Sequence, residues 1–324
     1  MSVKKNLAYY IHCFTNLRRD YSFGGAPHKP ILLLSLIENV EQGLIVDEKI
    51  FITPDLVASF KSNWSNFVIT KHTMKFAMPF FYMKSEPFWK LIPKSGYDLI
   101  VKAKYSLESF ANLNSAIEYA LLDKELFFCL SQRESREVLR LSILNKYFPY
   151  NKSQAHAGKD YISEITSDIL TEKPATYKEK LEKMQEKLEV DTYNEEVFIR
   201  GNVFKRVVPK IYNNTCCISG LNISATFTLS MVDACHIVPF SESHDDTITN
   251  GLALSPNMHR AFDRGLITIN ENYIVIVSER FTEESVSPFS IKQFKGKQIL
   301  LPSDKHFYPS AQNLIWHQKV KFNQ

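Results

Sequence analysis

Residues 233–265 constrain the fold of this chain more than any other segment, because their composition changes in the order strand, loop, strand and helix. The run TFTLSMVDACHIVPF has the branched and aromatic content of a strand that ends near Pro239. A polar loop, SESHDDTIT, leads to the apolar run LALS, which predicts a second strand. His244, Asp245 and Asp246 are expected to lie solvated in that loop.

A helix is predicted directly after the second strand. Ser255 can act as N-cap, Pro256 can occupy the first helical position, and Gly265 ends the pattern. His259 then lies about one turn into the helix, and Asp263, four residues later, lies on the same face. An imidazole and a carboxylate side by side can bind a divalent cation.

The motifs HIVPF, NGLALS and HRAFDRGL, with VFIRGNVFKRVVPKIYNNTCCISG upstream, resemble the HNH endonucleases, and most closely the subgroup found in restriction enzymes. The resemblance implies a ββα-metal fold built around one metal ion. It implies that His236 is the general base that activates water and that Asn250 holds the loop that orients the base. It also implies that His259 binds the metal, with Asp263 as second ligand. Magnesium, or manganese in its place, is the expected ion.

One position departs from that family pattern. Cys235 stands where many HNH nucleases carry an aspartate, and a thiol is a poor magnesium ligand. Asp233 is the other acidic candidate, but a side chain three residues before His236 faces the opposite side of an ideal strand. We therefore rank Asp263 above Asp233 as the second metal ligand.

The cysteines and the apolar segments indicate the cellular compartment that is expected for the chain and whether it binds structural zinc. Several HNH relatives bind structural zinc through two Cys-x-x-Cys pairs, which this sequence lacks, so no structural zinc is expected. Five irregularly spaced cysteines suit a reducing compartment. No apolar run of about 18 residues and no signal peptide are evident, so we expect a cytoplasmic protein without membrane contact.

Length and charge predict an α+β chain in three parts. Its 324 residues suffice for two ordinary domains. Residues 1–150 carry a net charge of +5, residues 151–196 carry −4, and residues 197–324 carry +3. We expect a mixed α/β DNA-recognition domain over 1–150, a charged helical linker over 151–196 and the ββα-metal nuclease domain over 197–324.

Local patterns predict elements within the first two parts. In the N-terminal part, helices are expected over 3–19, 30–42, 54–64 and 113–122, and strands over 49–52 and 87–92. A further helix is expected to begin at a capping box formed by Ser131 and Glu134. In the linker, residues 151–160 read as a polar connector, and Leu181, Met184 and Leu188 follow helical spacing.

Two clusters in the N-terminal part bear on recognition. GGAPHKP places Pro27, His28 and Lys29 at the start of an apolar helix, where backbone N–H groups favour an anion. MPFFYMKSEPFWKLIP concentrates aromatic residues and includes Met78 and Pro79. Together these clusters resemble the sulfur-binding domain of phosphorothioate-dependent restriction endonucleases, which join such a domain to a C-terminal HNH domain.

That resemblance implies a modification-dependent endodeoxyribonuclease that binds phosphorothioated double-stranded DNA. Sulfur in place of a nonbridging oxygen accepts hydrogen bonds poorly, so an apolar cup can hold it at little desolvation cost. The expected cup residues are Pro27, Met78, Pro79 and Tyr82. We expect His28 and Lys29 to contact a flanking phosphate or a base edge.

Two other functions stay open at this point. The chain could be an HNH restriction enzyme that reads an unmodified or base-methylated sequence, or a noncatalytic DNA-binding regulator. For the nuclease, a double-strand break needs two cuts and one HNH site makes one, so a homodimer is expected.

Overall fold

A computed structural model of the chain describes residues 5–98, 107–149, 161–223, 231–283 and 290–322. The chain divides into two compact units. One consists of Met1–Glu164 and Leu188–Ile199, and the other of Ile165–Lys187 and Arg200–Gln324. Helices and strands both occur, which confirms a mixed helix and sheet structure. None of the described helices is long and apolar enough to cross a membrane.

The first unit is mainly helical around a small sheet. The described helices that lie entirely within it are Leu7–Thr15, His28–Glu41, Pro54–Phe67, Ala77–Tyr82, Phe110–Ala116, Lys124–Ser131 and Arg133–Tyr147. The helix His28–Glu41 is buried on nearly all sides because the run ILLLSLI offers no polar face. Its buried Ser35 hydroxyl donates to the Ile31 carbonyl, and Asn39 Nδ2 donates to the Ser35 carbonyl and to Ser59 Oγ, so the donors of both buried side chains are used.

The sheet of the first unit contains β1 (Lys49–Ile50), β2 (Trp89–Pro93) and β3 (Ile117–Leu122) in the antiparallel order β1-β3-β2. Strands near the two expected positions are confirmed. The prediction of one helix over 113–122 is wrong, since the helix ends at Ala116 and the next six residues form the central strand. Hydrogen bonding to a strand on each side outweighs the helical propensity of this run.

The expected capping box is also wrong. Ser131 ends the helix Lys124–Ser131, and its hydroxyl donates to the Phe127 carbonyl at 2.9 Å. The next helix, Arg133–Tyr147, begins one residue after Gln132, which makes no side-chain cap. The local spacing predicted a helix start correctly to within two residues but assigned the wrong cap.

The helices Tyr161–Thr171, Pro174–Lys187 and Val190–Ile211 follow along the chain. The second of them confirms the helical stretch predicted for the linker, and its Tyr177 and Leu181 are fully buried. Met184 and Leu188 are partly exposed. The polar connector expected over 151–160 lies outside the described residues.

The second unit contains two antiparallel ribbons. Strands β4 (Asp233–His236) and β5 (Gly251–Leu254) pair with Asp233 opposite Leu254 and His236 opposite Gly251. A short helix, Phe240–Ser243, lies in the connection, and the helix Pro256–Asp263 follows β5. Strands β6 (Ile267–Ile269) and β7 (Val275–Val277) form the second ribbon, and the helix Ala311–Val320 comes last. The predicted order of strand, loop, strand and helix is confirmed.

Candidate active site

His236 lies at the end of β4 with its ring held from two sides. The ring stacks on Phe204 with centroids 4.0 Å apart and planes 8° apart. Its Nε2 lies 2.8 Å from Asp246 Oδ1, and the carboxylate of Asp246 is almost completely buried. Because a carboxylate accepts, Nε2 carries the proton of the neutral ring and Nδ1 is the basic nitrogen. The side chain of His236 remains 21% exposed, so solvent can reach the ring.

Asn250 is fully buried, and its side chain forms hydrogen bonds with the segment that connects β4 and β5 and with the C-terminal helix. Its Oδ1 accepts from Val238 N and from Asn313 Nδ2, each at 2.9 Å. Its Nδ2 donates to the carbonyls of Val238 and Asp245, again at 2.9 Å. Both lone pairs of the amide oxygen and both hydrogens of the amide nitrogen are therefore used. The side chain fixes the backbone immediately after His236.

The prediction of a solvated loop over His244, Asp245 and Asp246 is wrong for both aspartates. Asp245 and Asp246 are buried, and only His244 is partly exposed. Burial raises the pKa of Asp245, although its oxygen accepts from Thr247 N at 2.8 Å. The polar composition of this loop arises because its carboxylates serve buried hydrogen bonds rather than solvent.

A second group of side chains gathers on the other side of β4. His259 Nε2 lies 3.4 Å from Asp263 Oδ2, and His259 Nδ1 lies 3.6 Å from Asp233 Oδ2. Donor atoms of Cys235, His259 and Asp263 all lie within 4.8 Å of one another, an arrangement that can hold a metal ion. Cys235 is fully buried, and this burial, with the Asp263 charge beside it, raises the pKa of the thiol well above its usual value.

The placement of this group follows from short sequence signals. Ser255 occupies the N-cap position and Pro256 the first turn, as predicted, although Ser255 Oγ donates to Asn257 Oδ1 instead of capping a backbone N–H. Alternation along β4 turns Asp233 away from His236, as expected, and this same alternation brings it next to His259.

His317, on the helix Ala311–Val320, supports the C-terminal end of the helix that carries His259. Its ring stacks on Phe262 with centroids 3.6 Å apart. Its Nε2 lies 3.1 Å from the Phe262 carbonyl, and its Nδ1 lies 2.9 Å from the Thr268 hydroxyl. Burial lowers the pKa of His317 to about 4, so the ring is neutral near pH 7 and bridges the two groups as donor and acceptor.

In the first unit, most of the residues expected for recognition line one cavity of about 350 Å³, which we call the Met78 cavity. Pro79 is buried in its wall, whereas Tyr82 is 38% exposed and donates to Glu108. Pro27 lies at a neighbouring cavity instead. The residues that line the Met78 cavity are Arg18, Arg19, Asp20, Ala26, His28, Lys29, Met78, Pro79, Tyr82 and Ser85.

His28 and Lys29 both have protein partners at the cavity wall. His28 Nε2 lies 2.9 Å from the Thr73 carbonyl, and burial lowers the pKa of the ring. Lys29 Nζ donates to Ser85 Oγ at 2.7 Å and forms a buried ion pair with Glu86 at 2.5 Å. The positive charge of Lys29 is therefore compensated inside the protein.

Comparison with known proteins identifies the C-terminal site. Residues 216–270 match the family model HNH_2, described as HNH endonuclease. The second unit contains an HNH endonuclease domain. A solved structure described as "Modification dependent TagI restriction endonuclease" is similar over 37% of this chain and 38% of its own, with 18% identity and a TM-score of 0.28. No curated protein matches.

Three residues of the HNH domain were missed or set aside by the sequence reasoning. Asp246 and Phe204 hold the His236 ring, and Cys235 lies beside His259 and Asp263. The position of Cys235 at an expected aspartate was itself a signal for a ligand role. Phe204 offers no local signal, because its contact with His236 depends on the tertiary fold.

Proposed function

We propose that this protein is a modification-dependent restriction endonuclease that binds phosphorothioated double-stranded DNA in the Met78 cavity and hydrolyses phosphodiester bonds with its HNH domain. The observation that carries the cleavage part is the oriented imidazole of His236, held by Asp246 in a domain of the HNH family. The recognition part is supported by the cavity that five of the six expected residues line.

In the hydrolytic step, His236 Nδ1 takes a proton from water while the water oxygen bonds to phosphorus and the P–O3′ bond breaks. Asp246 stabilises the imidazolium that results, as a carboxylate partner does for other catalytic histidines. A positioned base typically contributes roughly 10²- to 10⁴-fold in rate. Asn250 keeps the backbone after His236 in place throughout. His259 and Asp263 would hold a divalent ion, which would supply positive charge for the phosphoryl and leaving oxygens.

For recognition, Met78, Pro79 and Tyr82 offer carbon and sulfur surface to a nonbridging sulfur atom. An oxygen in the same place loses water without gaining a donor. That penalty is roughly 1 to 3 kcal/mol, which corresponds to about 5- to 150-fold discrimination. Pro27 contributes indirectly in this proposal, as the residue that precedes the helix from which His28 and Lys29 project.

The contacts of His28 and Lys29 suggest different roles for the two residues. With Nε2–H donated to the Thr73 carbonyl and a lowered pKa, His28 is neutral and keeps Nδ1 as an acceptor. An acceptor suits the amino group of a base edge better than a phosphate. Lys29 fixes the cavity wall through Glu86. Arg18 and Arg19 supply positive charge at the cavity for the flanking phosphates.

Matched plasmids that differ only in phosphorothioation test the proposal. The purified protein should cut the modified plasmid and spare the unmodified one with at least one divalent ion among magnesium, manganese and zinc. Equal cutting of both would refute the modification claim. Competition binding among phosphorothioated, methylated and plain duplexes separates the proposal from a methylation reader. Cleavage of neither plasmid with any ion would favour the noncatalytic regulator.

Paired variants assign the two activities. His236→Ala should abolish cleavage and leave binding intact, whereas His306→Ala, at a side chain 90% exposed, should change neither. Tyr82→Ala should lower the preference for modified DNA, whereas Phe128→Ala, another exposed aromatic of the first unit, should not. Sedimentation of the protein with and without DNA tests the homodimer that the sequence analysis expects.

A further inference from the structure

The metal-facing side of the HNH domain contains a donor set that is unusual for magnesium. Cys235 Sγ lies 3.8 Å from Asp263 Oδ1, and His259 Nε2 lies 3.4 Å from Asp263 Oδ2. The three donor atoms are a sulfur, an imidazole nitrogen and a carboxylate oxygen, all within 4.8 Å of one another. Magnesium prefers oxygen ligands, whereas thiolate and imidazole suit zinc and similar ions.

Two of the separations between these side chains can be compared with the ligand separations of a tetrahedral ion. From typical zinc bond lengths, a tetrahedral site places sulfur and oxygen about 3.6 Å apart and nitrogen and oxygen about 3.4 Å apart. The distances to the two Asp263 oxygens are 3.8 and 3.4 Å. Neighbouring ligands of octahedral magnesium are about 3.0 Å apart. Each of these two separations, one to each Asp263 oxygen, is closer to the four-coordinate value than to the octahedral one.

Burial and exposure leave one side of the group open. Cys235 is fully buried beneath it, whereas the His259 and Asp263 side chains are 27% and 60% exposed. An ion can thus enter from the solvent side, and three protein ligands leave a fourth position for water or a phosphate oxygen. Zinc sites that take part in catalysis keep such an open position.

Asp233 lies beside His259 but is not one of the three donors. Its Oδ2 lies near His259 Nδ1, on the opposite edge of the ring from Asp263. A carboxylate at the second nitrogen of a metal-bound histidine fixes the tautomer and orients the ring. This placement makes Nε2 of His259 the nitrogen that faces the metal.

We propose that Cys235 is a metal ligand together with His259 and Asp263, and that the site selects a tetrahedral, thiolate-binding divalent ion of the zinc class over magnesium. As the ion binds, the thiol proton passes to solvent and the thiolate bonds to the metal. Asp233 orients His259 without binding the ion. The catalytic role of this metal site rests on the proposed nuclease function, whereas the metal-binding measurements that test the site do not.

Cobalt is the spectroscopic probe for this site. Metal-free full-length protein titrated with Co²⁺ should develop a sulfur-to-cobalt charge-transfer band and the intense visible bands of four-coordinate cobalt. Cys235→Ser should abolish the charge-transfer band. It should also weaken zinc binding by roughly 10- to 100-fold, as measured by competition with a chelator. Cys235→Asp should also remove the band and should bind magnesium more tightly than the wild type.

Cys217→Ser is the matched control, because Cys217 is an equally buried thiol of the same domain outside the donor set. It should keep the charge-transfer band. X-ray absorption of the zinc-loaded wild type should show one sulfur at about 2.3 Å, and this measurement needs no variant that could misfold.

A cobalt spectrum without the charge-transfer band, or zinc without a sulfur neighbour, would overturn the assignment. So would a band that survives in Cys235→Ser, or zinc binding no tighter than magnesium binding. None of these measurements requires DNA. A thiolate-bound ion in a protein that cuts no DNA would support this assignment and count against the proposed function.

Discussion

Replacing Asn250 tests whether its amide holds the backbone that orients His236. Asn250→Ala removes four hydrogen bonds, three of them to the backbone of Val238 and Asp245. We take about 1 kcal/mol for each backbone group, the low end of the usual cost, because water can enter the space left behind. The Val238 carbonyl also keeps a weaker 3.3 Å hydrogen bond from Ser243. The expected local destabilisation is about 3 kcal/mol.

Native-state hydrogen exchange on the full-length protein measures this effect directly, since the Val238 amide donates to Asn250 Oδ1. A loss of about 3 kcal/mol corresponds to exchange faster by roughly 10²-fold. Asn313→Ala is the control, because it removes only one of the four hydrogen bonds. It should cost about 1 kcal/mol and speed exchange by about fivefold.

Asn250→Asp makes the test more specific, because it preserves the shape of the side chain and replaces only the donor group Nδ2 by an oxygen. The new oxygen faces the carbonyls of Val238 and Asp245, each 2.9 Å from the present Nδ2. Burial and these carbonyls raise the folded-state pKa of the introduced carboxyl, so its penalty grows as pH rises above the unfolded value of about 4. Exchange at Val238 less than about fivefold faster in both variants would refute the reasoning.

Three further outcomes are expected. The second unit should lose up to about 3 kcal/mol of stability as pH falls from about 6.5 to 4, because His317 takes up a proton in the unfolded state and not in the folded state, where its pKa is about 4. The free energy of unfolding of His317→Gln, measured over the same pH range, should lack this decrease. Asp246→Asn should lower the cleavage rate by roughly 10²- to 10⁴-fold without changing DNA binding, and an unchanged rate would remove Asp246 from the support of His236. Glu86→Gln should destabilise the first unit by about 3 to 5 kcal/mol in urea unfolding, since it leaves the buried charge of Lys29 without a carboxylate to compensate it. A loss below about 1 kcal/mol would contradict this.

The order of elements in the HNH domain was predictable because its signals are local. Ser255 and Pro256 mark a helix start whatever surrounds them, and the four-residue spacing of His259 and Asp263 places them together on any helix. The strand that ends at His236 likewise follows from composition, although it ends three residues before the predicted end at Pro239, and residues 226–230 of the predicted run lie outside the described residues. These features require only neighbours in sequence.

The features that were not predicted depend on distant residues. Asp246 belongs to a polar loop, and its burial follows from packing that a local pattern does not contain. The run Ile117–Leu122 carries residues common in helices but becomes the central strand because β1 and β2 pair with it on both sides. His317 lies 55 residues from the Phe262 carbonyl that it contacts, so the sequence near either residue does not predict this contact.

The family match ends at residue 270, yet the helix Ala311–Val320 supplies Asn313 to the Asn250 amide and His317 to the end of the His259 helix. Just before that helix, Ser310 N donates to the Thr249 carbonyl at 2.8 Å. A graft that moved only the matched segment onto another protein would remove these three contacts. An HNH module transplanted from this protein should therefore extend through Val320.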